Sequence, residues 1–113
     1  MAVRNYLEVL IKQTMDSIEP ICLKADLAFD YLFNDFRYGY TGVSALLDGM
    51  EYIKSEACRC YGEMSQDRKD EEQRLFFANR DIIAYMISVE DVMQGLQSPV
   101  YDGFGAYGKD KNN

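Results

Sequence analysis

Residues 65–97, SQDRKDEEQRLFFANRDIIAYMISVEDVMQGLQ, carry the longest run of unbroken helical period in this chain. Leu75, Asn79, Ile82, Met86, Val89, Met93 and Leu96 recur at alternating steps of four and three, which places them on one stripe of an α-helix. Phe76, Ile83 and Ile87 widen that stripe to roughly half the circumference at about 100° per residue. A helix so broadly apolar needs more than one neighbour. Its lead-in is charged, with Ser65 suited to the cap and Asp67, Asp70, Glu71 and Glu72 suited to a helix N-terminus.

Upstream of this stretch, Val43, Leu46, Met50, Ile53, Ala57, Cys60 and Met64 repeat the same period and predict a helix that ends near Gly62 to Ser65. The short link implies an antiparallel hairpin between these last two helices. Residues 37–42 hold Gly39 and Gly42 and read as a loop, with Thr41 a candidate cap. From Val3 to Phe36 the apolar period, including Ile18, Ile21, Ala25 and Leu32, continues across Pro20. Proline removes a backbone donor and pushes the preceding residue out of helical geometry, which favours a break or sharp kink between residues 16 and 20. The fold predicted is all-α: a bundle of three long helices, four if Pro20 breaks the first, over residues 1–97. Residues 98–113, glycine-rich and polar with Phe104 and Tyr107, read as a flexible C-terminal tail.

A chain of 113 residues accommodates one domain and a single core, and 48% hydrophobic residues support real burial. The formal charge of -7 argues against direct nucleic-acid binding, which draws most of its affinity from Lys and Arg neutralising phosphates. No apolar run approaches the roughly 20 residues of a membrane span, and the N-terminus is broken by Glu8 and Lys12, unlike a signal peptide. Three cysteines, Cys22, Cys58 and Cys60, give no disulfide framework. A cytoplasmic protein is expected.

The motifs that could carry chemistry fail on their own requirements. Gly103, Gly105 and Gly108 spell G-x-G-x-x-G, but a dinucleotide loop needs a strand before it and a helix after it. Cys58 and Cys60 point in nearly opposite directions on a helix, so they cannot share a metal there. With no histidine in the chain, the usual general base is missing. Carboxylates remain: Asp48 with Glu51, and Asp67 with Asp70, are the kind of acid pairs with which all-helical magnesium-dependent nucleotide hydrolases hold metal. Here they fall off the apolar faces of their helices and read as solvated acids. No catalytic residue, metal or cofactor is therefore expected.

Two surfaces are expected to bind. Asp16, Glu19, Asp26 and Asp30 project onto one helical stripe away from the core, with Leu23, Leu27 and Tyr31 in a row beside them; acids rimming apolar anchors are a usual composition for a binding patch. The half-circumference face formed by Leu75, Ile82, Met86, Val89 and Met93, with Asn79 in it as a polar register residue, predicts a homodimer. The function expected is that of a small acidic, non-enzymatic binding protein. It would occupy a basic surface of a protein partner, and by class-level analogy mask a nucleic-acid-binding site as inhibitors of the immunity or phage counter-defence (anti-CRISPR-like) kind do. The alternatives are a self-associating structural module and a carboxylate-metal nucleotide hydrolase.

Overall fold

Pro20 decides the first break in the chain. In the computed structural model, which describes residues 3–97, α1 (Asn5–Asp16) ends before it and α2 (Ile21–Arg37) begins after it, with Pro20 itself in the N-cap position. Its ring has no side-chain oxygen to cap with, and its extended backbone (φ -54°, ψ 145°) turns the chain from one helix to the next. Ile18, placed by its spacing in the core, lies in this connection and is 93% exposed. The helical phase that assigned it inward does not run through residues 17–20.

After a turn at Gly39, whose φ of 86° suits a residue without Cβ, α3 (Val43–Gly62) follows. Its N-cap is Gly42, not Thr41. Thr41 is buried and donates its hydroxyl to Asp35 Oδ2 at 2.8 Å. Asp35 also holds Arg4 in an ion pair, so one buried carboxylate ties the start of α1 to the α2–α3 turn.

The 65–97 stretch forms two helices, α4 (Gln66–Ala78) and α5 (Arg80–Gln97), which brings the count among the described residues to five, not three or four. Ser65 caps α4 as expected, accepting from the Arg68 N–H. The unexpected break is at Asn79, whose backbone (φ -117°, ψ 24°) leaves the helical region. Its backbone N–H and its side-chain amide both donate to the Leu75 carbonyl, at 3.0 and 2.8 Å, closing the end of α4. Asn79 is thus a helix terminator rather than a polar residue inside an apolar seam.

This division moves the core. Leu7, Ile11 and Met15 of α1, Ala25, Ala28, Phe29 and Leu32 of α2, and Leu46, Met50 and Ile53 of α3 are its buried residues. Gly49 lets α2 and α3 approach: a Cβ there would lie 2.7 Å from Leu32 Cδ2. From α5 the half-buried Met86, Val89 and Met93 pack on this core, and none of its apolar residues is fully buried. Helices α1 to α3 therefore form the bundle proper, and α4 and α5 lie over α2 and α3. Gln73 on α4 donates to the Tyr61 hydroxyl at 2.8 Å, whereas Glu90 on α5 meets Lys54 at 3.0 Å, so the chain retraces α3 in the opposite sense. No described helix is long and apolar enough to cross a membrane.

Candidate functional site

On α2, Leu23 and Leu27 are one turn apart and 41% and 45% exposed. They border a shallow groove against Leu10, Gln13 and Thr14 of α1, with Glu19 at its edge. Asp26 and Asp30, also one turn apart, stand beside them on the same helix. Burial, and then the charge of Asp30, push the Asp26 carboxyl above its ordinary value. Among the described residues no Arg or Lys forms an ion pair with Asp26 or Asp30. Lys24, between these residues in sequence, is buried and donates to the Ser17 carbonyl at 2.9 Å, so its charge is turned inward onto the α1–α2 connection.

Counter-ions are distributed unevenly over the molecule. Among the described residues Glu8, Asp35, Glu51, Glu56, Glu63, Glu71, Glu72 and Glu90 each form an ion pair with Arg or Lys. Asp16, Glu19, Asp26 and Asp30 form none there, and neither do Asp67, Asp70, Asp81 and Asp91 of α4 and α5. The first four do not, however, share one helical stripe: Asp16 is the last residue of α1 and Glu19 lies in the connection. Asp16 lies one turn beyond Lys12, whose ammonium stands over the Tyr52 ring of α3 at 6.0 Å, so it sits toward α3. Tyr31 is half-buried and packs on the core, so it is not a free anchor. The face brought together is Glu19, Leu23, Asp26, Leu27 and Asp30.

The residues expected to pair two copies face the protein's own interior more than the solvent. Met86, Val89 and Met93 pack on the core, and Leu75, Asn79 and Ile82 are half-buried. Exposed apolar surface on α4 and α5 comes instead from Phe76, Phe77, Tyr85, Ile87, Val92 and Leu96. Phe76 and Phe77 meet edge to face at 5.9 Å, and Tyr85 stands edge-on to Phe29 at 6.1 Å.

Between the α4–α5 layer and the bundle lies an apolar cleft of about 610 Å³. Cys22, Ala25 and Phe29 of α2 and Met50, Ile53 and Ala57 of α3 line one side, with Phe76, Ile83, Met86 and Ile87 opposite. Its polar groups have partners. Glu72, buried on α4, accepts the Ile21 N–H on its two oxygens at 2.9 and 3.1 Å. It thereby caps the helix that Pro20 leaves uncapped, and its charge suits an N-terminus. Glu90, also buried, holds Lys54, whose ammonium is raised above its usual value first by that hydrogen bond. The Cys22 thiol is pushed up by burial.

Neither Glu72 nor the cleft follows from helical spacing. The one available signal is that α2 has a proline where a capping side chain belongs, which demands a donor's partner from elsewhere. Among the described residues no three acids or cysteines converge in a way that could hold a metal, and Glu51 and Asp70 are engaged by Lys54 and Gln66. Cys58 is exposed and Cys60 half-buried, the latter 3.8 Å from the Lys24 ammonium. The glycine motif at residues 103–108, Phe104 and Tyr107 lie outside the described residues. No family model, curated protein or solved structure matches this chain.

Proposed function

We propose that this protein is a non-enzymatic, cytoplasmic binding protein that engages a basic surface of a protein partner through Glu19, Leu23, Asp26, Leu27 and Asp30. The observation that carries this reading is that Glu19, Asp26 and Asp30 form no ion pair among the described residues and stand beside two exposed leucines, whereas eight other acids are paired with Arg or Lys. Unpaired acids steer a basic partner, and the leucines supply desolvated contact. A surface that binds nucleic acid is basic by necessity, so masking such a site is the inhibitory form this function takes. Capture from the native host with the wild-type chain, followed by kinetics, tests it. Asp26→Lys with Asp30→Lys is expected to slow association at least about tenfold, and Leu27→Ala to speed dissociation by about 1 kcal/mol or more. Unchanged rates in helical variants would remove the acidic face from the function.

A second reading, self-association, is favoured by the exposed Phe76, Phe77, Ile87, Val92 and Leu96. An apolar set of this kind is a usual mark of an interaction surface. Sedimentation equilibrium at micromolar concentration distinguishes a homodimer from a 13.0 kDa monomer.

A further inference from the structure

We propose that the cleft beneath α4 and α5 is a binding site for a small, uncharged, apolar molecule, a function separate from the partner face on α1 and α2. Its volume of about 610 Å³ lies within the roughly 300–1,000 Å³ of small-molecule sites, which are mostly apolar and concave. Ala25, Phe29, Met50 and Ile53 form a buried floor, and Phe76 and Ile87 stand at an exposed mouth.

The class of occupant follows from the polar groups of the wall. Glu72 is engaged by the Ile21 N–H, Glu90 by Lys54, and the Tyr61 hydroxyl by Gln73. With those bonds made, the charged groups of the wall are engaged with one another and few donors are left over, the Tyr61 O–H among them, so a polar ligand would be desolvated with little return. An anion would also meet the carboxylates of Glu72 and Glu90. A second copy of this chain, at a formal charge of -7, brings like charge to the same place. An uncharged hydrocarbon-like molecule has neither cost.

The probe is N-phenyl-1-naphthylamine, neutral at pH 7, titrated by fluorescence into the full chain, beside 1-anilinonaphthalene-8-sulfonate, a similar ring system bearing a sulfonate. Saturable binding at one probe per chain is expected, with the sulfonate at least about tenfold weaker. In the wild type carrying ¹³C-methyl methionine, the methyl signals of Met50 and Met86 should shift while that of Met15, fully buried outside the cleft, stays fixed. Ala57→Trp, which fills the cleft from α3, should weaken binding at least about tenfold, whereas Leu96→Ser outside it should not. Several outcomes overturn the proposal: non-saturating fluorescence, equal affinity for the sulfonate, shifts that miss Met50 and Met86, or wild-type affinity in a folded Ala57→Trp variant. Loss of probe binding as the chain self-associates would also overturn it, by assigning the cleft to a second copy. If Ala57→Trp does not fold, the wild-type methyl shifts decide alone.

Discussion

Glu72 does for α2 what position 20 cannot, from 51 residues further along the chain. Glu72→Ala removes the acceptor from the Ile21 N–H and the negative charge from a helix N-terminus, and is expected to cost about 1–2 kcal/mol in urea unfolding. Glu72→Gln keeps an acceptor and should cost less; equal losses would mean that charge, not hydrogen bonding, matters here. Gly49 has the opposite character, since what it contributes is absence. Gly49→Val puts atoms within 2.7 Å of a Leu32 side chain that is itself fully buried and cannot swing away, so a loss of about 2 kcal/mol or more is expected. Asp26 tests the charge of the binding face by pH. Because its carboxyl is raised in the folded state, folding favours the protonated form: stability falls as pH rises from the unfolded value of 3.8 through the folded one. Asp26→Asn should therefore be more stable than the wild type at neutral pH and lose that advantage in acid below pH 3.8. An advantage that persists there would assign it to something other than ionisation.

At the scale of elements, two breaks of similar effect differ in how they are written. Proline at position 20 announces its break chemically, through a missing donor and a fixed φ. Asn79 does not: a single residue out of helical geometry hardly shifts the phase, so Leu75 and Ile82 keep the spacing of one continuous helix across it. Periodicity alone therefore merges α4 with α5 and makes their joint stripe look like the centre of the fold. The buried residues place the centre in α1, α2 and α3; spacing marked Leu7, Ala28, Leu32, Leu46, Met50 and Ile53, but in α1 it followed Leu10 and Thr14 and missed the fully buried Ile11 and Met15, and it ran on to Ile18, where the helix has ended. A layer that adds only half-buried side chains to the core should open first. Native-state hydrogen exchange is expected to release the amides of α4 and α5 at a lower free energy than those of Leu32 and Met50. Asn79→Leu, which removes the side-chain bond to the Leu75 carbonyl, should lower the opening free energy of α4 by about 1 kcal/mol while leaving the bundle protected. Uniform exchange across the five helices would show instead that the layer and the bundle unfold as one unit.

The whole molecule presents two surfaces of contrasting chemistry, and their salt dependence tells them apart. Leu23 and Leu27 were legible as outward residues because they fall off the stripe that α2 buries. The position of Asp16 was not, because the connection at residues 17–20 ends the shared helical frame. What remains on α2 is a short acidic face without an ion pair among the described residues, while the apolar residues of α4 and α5 lie on other helices. Charges steer encounter over about a Debye length, roughly 10 Å at 0.1 M salt and 3 Å at 1 M. Raising NaCl across that range should slow association with a basic partner and leave its dissociation rate nearly unchanged, because the leucines hold the complex once formed. Self-association through Phe77, Ile87 and Leu96 should respond the other way: salt screens the repulsion between two chains of charge -7 without weakening apolar burial. Stopped-flow mixing with the captured partner and sedimentation equilibrium of the chain alone, each carried out across the same salt series, read the two effects separately. A partner association rate insensitive to salt would exclude the acidic face as the steering element, and self-association that weakens with salt would exclude the apolar surface as its cause.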